Sequence, residues 1–291
     1  MTRAKVSIGS VWDTAVEAVR GRMGLLVPIA ALSLFLPSVI QAALALYTGG
    51  AAGGPPSVPG AGGAALRFAL MLGLLALTFW GALAITAITG DPAVNATEAR
   101  RRASARLLAL LGVSIVIGLV MTLLFVPVLL ALVRSGIDIQ AMGSGTMPTL
   151  TAGTSLFIGL YGLFVTGLLI WVLARLLPLV PVVLNERLGL RAIGRSFRLT
   201  RGLAWKLMGA LLLYFIVLFV ATSAAQWVTF IPLRLLLGVE NTGVAGFVGA
   251  VVGAIVAAVF SVLAYAFTAQ LYERLVARER SATVGDAHPA S

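Results

Sequence analysis

Leu107–Val133 reads LLALLGVSIVIGLVMTLLFVPVLLALV, with no charged residue between Arg106 and Arg134. A hydrocarbon core of about 30 Å takes about 20 residues at helical rise, so this run is long enough to cross it. Met23–Tyr47, Ala65–Thr89, Leu156–Val183, Leu207–Ile231 and Val244–Leu271 read the same way. The expected fold class is therefore all-α, an integral membrane bundle of six transmembrane helices. Composition agrees, since the 291 residues are 60% hydrophobic and only 11% charged, whereas charged residues make up about a quarter of a soluble domain. The loops are too short to hold a second core, so residues 1–280 read as a single polytopic membrane domain. Residues 281–291 read as a disordered polar tail.

The net charge of +11 has a direction. With the N-terminus inside, Arg3, Lys5, Arg20, Arg22, Arg100, Arg101, Arg102, Arg106, Arg187, Arg191, Arg195, Arg198, Arg201, Lys206, Arg274, Arg278 and Arg280 share one side. Arg67, Arg134 and Arg234 fall opposite, and Arg175 lies within the fourth span. Basic residues in short loops stay on the cytoplasmic side, so a bacterial cell inner membrane with both termini cytoplasmic is expected. The same charges attract anionic headgroups. Nucleic acid is not an expected partner, because the basic segments lack the interleaved aromatics of a base-stacking surface.

Ala43-Leu44-Ala45 could pass for a signal-peptide cleavage site, but the preceding apolar run exceeds the roughly 7–15 residues of a signal h-region. It is read instead as the first helix, bent at Pro28 and Pro37. Gly49–Gly63 and Gly136–Gly153, the latter with Asp138, read as flexible connectors. Pro232–Gly243 is shorter and leucine-rich and is placed in the interface.

On the opposite side an amphipathic stretch precedes each odd-numbered span, giving three expected cytoplasmic interfacial amphipathic helices. The first has Ser10 and Asp13 in a capping-box pattern, with an apolar stripe of Trp12, Ala15, Val16 and Val19. The second starts at Asn95 with Glu98 as the reciprocal acid. In the third, Asn185 and Glu186 suit a helix N-terminus, Arg187, Arg191, Arg195 and Arg198 line one face, and Leu190, Ile193 and Phe197 line another. The chain reads as three weak repeats of interfacial helix, span, outer loop and returning span.

The run Pro178–Glu186, then Gly189, Arg195-Ser196, Leu199, Gly202 and Trp205, fits a pattern P-x-x-x-x-E, G, R-S-x-x-L, G-x-x-W. It resembles the signature of the glycerophosphoryl diester phosphodiesterase membrane-domain family. In that family's namesakes a separate soluble domain carries the metal and the hydrolysis, and these spans leave no room for one. The resemblance thus implies a membrane scaffold and carries over no catalytic residue.

The residues give the same reading. Phosphodiester chemistry on a divalent metal needs clustered carboxylates or imidazoles, whereas the sole histidine, His288, sits in the tail and the acids lie at interfaces or ends. The absence of cysteine removes thiolate chemistry. No enzyme activity, cofactor or metal is expected. Arg175 is the one strong ionisable residue inside a span. It is read either as snorkelling or pairing with Glu186, or as an anion contact beside the helix broken at Pro178 and Pro181. The candidate headgroup contacts are Arg175, Arg187, Arg191, Arg195 and Arg198.

In the last span Ala245, Gly249, Gly253, Ala257 and Ser261 recur every four residues, a flat face for an internal helix contact or for self-association through Gly249, Gly253 and Ala257. Two functions follow from this reading. The first is a non-enzymatic membrane protein that organises lipids or partner proteins through a basic cytoplasmic face. The second is a transporter or flippase for an anionic amphiphile.

Overall fold

The computed structural model describes residues 7–47, 61–135 and 151–286. In chain order they form α1 (Ile8–Arg20), α2 (Met23–Tyr47), α3 (Ala61–Gly90), α4 (Ala96–Arg134), α5 (Ala152–Leu176), α6 (Leu179–Asn185), α7 (Arg191–Leu199), α8 (Ala204–Leu237), a 3-10 turn at Val239–Asn241, and α9 (Thr242–Asp286). No strand occurs among the described residues. Six helices are long and apolar enough to cross a membrane, with α5 and α6 together making one of them. The chain is an all-α, multi-pass membrane protein.

Helix α9 is the post around which the others gather. It packs along α8 on one side and on α1, α2 and α3 on the other. Gly249 and Gly253 of α9 face α8, where an added Cβ at either would press on Gln226. The small-residue face at these two glycines is thus occupied within the chain. The short helix α6 is buried at Leu179, Pro181, Val182, Val183 and Leu184 and wedges against α3, α4, α7 and α9. The core concentrates at the arginine-rich end, with Leu26, Ile29, Leu83, Ile85, Ile88, Val182, Val183, Leu207 and Leu271 all removed from solvent. Toward the other end Leu119 and Leu123 of α4, Leu160 and Leu163 of α5, and Phe219 and Val228 of α8 stand exposed.

The six spans fall where hydropathy puts them, but several junctions differ. The second amphipathic stretch is no separate helix. Asn95 caps it as expected, accepting from the Glu98 amide at 2.9 Å, and the helix then runs unbroken into the span because Ala96–Arg106 holds no glycine or proline. Glu98 turns its carboxylate to Arg101 and Arg102. Ser10 is no cap either, since α1 starts at Ile8 after Ser7 and the Ser10 hydroxyl donates to Ser7 O. Asn185 and Glu186 end α6, and α7 begins only at Arg191. The leucines of Pro232–Gly243 belong to the last turns of α8, and α9 continues past Arg280 to Asp286. Most of the two expected connectors, with Asp138 and His288, lies outside the described residues.

Gly202 and Gly81 also hold positions that a side chain would spoil. Gly202 has φ of +83° in the turn closed by Leu203 N donating to Thr200 O, a backbone that favours glycine. Gly81 faces Ser33 of α2. Between Pro28 and Pro37, α2 widens into a π-helical turn over Ala31–Phe35, where Leu36 N reaches back to Ala31 O. A regular turn would drive the Pro37 ring into the Ser33 carbonyl, and the wider turn relieves that crowding. The turn buries Ser33, whose hydroxyl donates to Ile29 O at 2.7 Å. A Cβ at Gly81 would collide with the Ser33 side chain.

Overpacking of this kind costs about 1–3 kcal/mol. Gly81→Ala is expected to lower the thermal unfolding midpoint in detergent, and Ser33→Gly in the same chain to recover most of the loss. An unchanged midpoint in Gly81→Ala would show that α2 and α3 do not meet at this point.

Candidate functional site

The arginine-rich end is built around Arg195. Its Nε donates to both oxygens of Glu186 at 3.0 and 2.8 Å, and Nη1 and Nη2 donate to the two oxygens of Glu279 at 2.7 and 2.6 Å. Tyr272 of α9 adds its hydroxyl to Glu186 at 3.2 Å. One guanidinium thereby joins the end of α6, the middle of α7 and the last turns of α9. Its side chain is 14% exposed, against 23% for Glu186 and 41% for Glu279. The bond to Glu279 pushes the Arg195 pKa up most, burial works against it, and Glu186 raises it further. The cation is permanent. The acid and the arginine of the Pro178–Trp205 pattern are thus the two halves of one ion pair.

Arg175 lies at the end of α5, its guanidinium carbon 5.2 Å from the Trp171 ring and 5.7 Å from the Phe197 ring, two rings that themselves meet edge to face. Its Nη1 donates to Phe197 O at 2.9 Å, while its buried Nε has no hydrogen-bond partner among the described residues. Cation–π contact with two rings partly offsets that unpaired donor. Arg175 therefore ties α5 to the end of α7 rather than pairing with Glu186.

The four arginines expected on one face part company. Arg187 precedes α7 in a turn with φ of +56°, outside the helix. Arg187, Arg191 and Arg198 are exposed, whereas Arg195 turns inward. The buried face of α7 is Ala192, Ser196 and Leu199, smaller than the expected stripe; Leu190 is exposed. In α1 the buried residues are Val11 and Ala15, while Trp12 stays partly outside beside Phe267.

Two further arginines do structural work that charge counting missed. Arg22 reaches over the end of α3, its Nη1 donating to Ile88 O, Asp91 O and Val94 O at 2.8, 3.1 and 3.2 Å and its Nη2 to Pro92 O. Arg274 of α9 holds α1, donating to the Ser10 hydroxyl at 2.5 Å, to Ser10 O at 3.0 Å and to the Thr14 hydroxyl at 2.8 Å. The only sequence signal for either is a serine, a threonine or a helix end in reach of a cation, which is too common to single out a pair.

Between the first turns of α4 and the end of α6 lies an open groove of about 470 Å³ lined by Glu98, Arg101, Arg102, Arg106, Asn185 and Arg187. Glu98 bridges Arg101 at 2.9 Å and Arg102 at 2.8 Å, and Asp91 stands 3.7 Å from Arg102. No group of three or more metal-ligating side chains comes together among the described residues.

Breaking a partly buried ion pair from one side leaves the other charge exposed to loss of its partner, a cost of about 2 kcal/mol. Arg195→Gln is expected to lower stability by about that much, and Glu279→Gln by less because that carboxylate is wetter. A thermal-unfolding double-mutant cycle of Glu186→Gln with Arg195→Gln should show positive coupling. Strict additivity would mean that the two side chains do not stabilise each other.

No curated protein and no solved structure matches the chain. A family model does match, over residues 6–275. That stretch takes in α1, the first five spans and most of α9, the groove, and Arg195 with Glu186 and Tyr272 though not Glu279, and so the chain belongs to the family described as Domain of unknown function (DUF7847).

Proposed function

We propose that this protein is a non-enzymatic membrane protein that organises anionic lipids, and partner proteins that share that surface, through its arginine-rich face. In this reading it sits in a bacterial inner membrane with both termini and that face in the cytoplasm. The observation that carries the proposal is a division of labour among the cations at one end. Arg22, Arg175, Arg195 and Arg274 are engaged with carbonyls, hydroxyls and acids of the chain itself. Arg100, Arg187, Arg191, Arg198, Arg201 and Lys206 remain exposed around them. Structure explains the first set and leaves the second turned outward.

Exposed cations at headgroup level attract anionic lipid by about 1 kcal/mol each. Trp205, largely exposed beside Lys206, suits the interface, where an indole is favoured. The resemblance of Pro178–Trp205 to a phosphodiesterase-associated membrane domain fits the same reading, because it implies a scaffold. Transport of an anionic amphiphile would require Arg175 to contact a headgroup, and its guanidinium is already held by Phe197 O and two rings.

Two measurements test this reading. Protein extracted in polymer nanodiscs should carry anionic lipid enriched about twofold or more over the bulk membrane, and Arg100→Gln/Arg191→Gln/Arg198→Gln should remove most of that enrichment. Wild-type nanodiscs with the bulk lipid composition would end the proposal. Orientation is accessible because the chain has no cysteine. A membrane-impermeant thiol reagent on intact cells should label Thr151→Cys, and should reach Ser281→Cys only after lysis; the reverse pattern would invert the assignment.

A further inference from the structure

We propose that the groove between α4 and α6 is a binding site for a phosphomonoester dianion. This deepens the lipid-organising reading and rests on it. Its volume of about 470 Å³ falls within the roughly 300–1,000 Å³ of small-ligand sites. Charge sets the class of ligand. Four guanidiniums, Arg101, Arg102, Arg106 and Arg187, line the groove with one carboxylate, Glu98. That carboxylate is shared by Arg101 and Arg102, and Asp91 stands near Arg102. Arg106 and Arg187 form no ion pair among the described residues, so two positive charges remain to be matched. A phosphomonoester carries about 1.5 to 2 negative charges at neutral pH, whereas a phosphodiester headgroup carries one. Guanidinium forks also match phosphate oxygens in geometry.

One feature of the backbone points the same way. Arg187 holds a left-handed φ of +56°, a conformation that glycine adopts freely and arginine does not. The fold tolerates that strain at a residue whose side chain helps to close the groove. Position favours a lipid as the source. Ala105 and Leu184 form the apolar part of the lining, and the apolar run of α4 begins one residue after Arg106, so a phosphate here lies where the headgroup layer meets the hydrocarbon.

The test is a native mass-spectrometry titration of the full-length protein with dioleoyl phosphatidic acid, with dioleoyl phosphatidylglycerol, and with glycerol 3-phosphate as soluble competitor. The monoester lipid should bind about tenfold more tightly than the diester. Arg106→Gln and Arg187→Gly should each weaken it by about fivefold or more, and Arg191→Gln/Arg198→Gln, outside the groove, by less than about twofold. Arg187→Gly relieves backbone strain, so its unfolding midpoint should equal or exceed that of the wild type. Lost binding in that variant then cannot be put down to misfolding. Displacement of the lipid by glycerol 3-phosphate at equal concentration assigns the site to a soluble ester; resistance to it assigns the site to a lipid. Equal affinity for the two lipids, or an equal loss in the Arg191/Arg198 variant, overturns the groove while leaving the broader surface reading intact. No retention of either lipid by the wild type overturns both.

Discussion

A backbone carbonyl that leaves its helix within or beside a bilayer has little water to turn to, and every such carbonyl must be met from inside the chain. Much of this structure answers that demand. At the end of α3, Arg22 takes the carbonyls of Ile88, Asp91, Pro92 and Val94, and Gln270 donates to Thr89 O at 2.7 Å. At the end of α7, Arg175 takes Phe197 O. In α4, Tyr161 donates to Leu124 O at 2.8 Å, next to the carbonyl that Pro127 leaves unpaired. Ser33 donates to Ile29 O inside the π-helical turn. Each donor comes from a different element or from the turn itself, so satisfying the backbone also fastens one helix to the next.

The same logic places the ion-pair network. Helix α6 interrupts the fourth span at Pro178, and the chain then has to turn back before α8. That reversal brings an acid at the end of α6, an arginine in α7 and an acid late in α9 to one point. Arg195 satisfies both carboxylates, each by two hydrogen bonds. Arginine is suited to this in a way that lysine is not, because its planar fork presents two edges to two acids at once. The closure lies at the edge of the bundle, partly in reach of water, where the desolvation cost is lower than at mid-bilayer.

The spans were legible because membrane solvent imposes a length and a polarity on each of them. Asn95 was legible as a cap, and Pro178 as a break, because both act locally. Arg195 reads in sequence as one of four basic residues at helical spacing, since its second partner lies 84 positions away. The π-helical turn leaves no local pattern beyond its two flanking prolines. The expected interfacial helix before α4 failed for the opposite reason: Ala96–Arg106 is made of good helix formers, and amphipathic composition alone does not end a helix. α1 and α7, by contrast, stand apart as helices, with Gly21 after α1 and Gly189 just before α7.

The packing is unequal from end to end, and this bears on what the surrounding bilayer can do to the molecule. At the arginine-rich end, helix positions are fixed by side chains and hydrogen bonds of the chain itself. At the other end, Leu123 of α4 and Leu163 of α5 are exposed. Acyl tails complete that half in place of protein atoms, and between such surfaces there is little hydrophobic force to draw helices together. A change in acyl-chain length or order is therefore felt as mismatch mainly by the half whose surface the tails complete, while the arginine-rich end keeps bonds made within the chain.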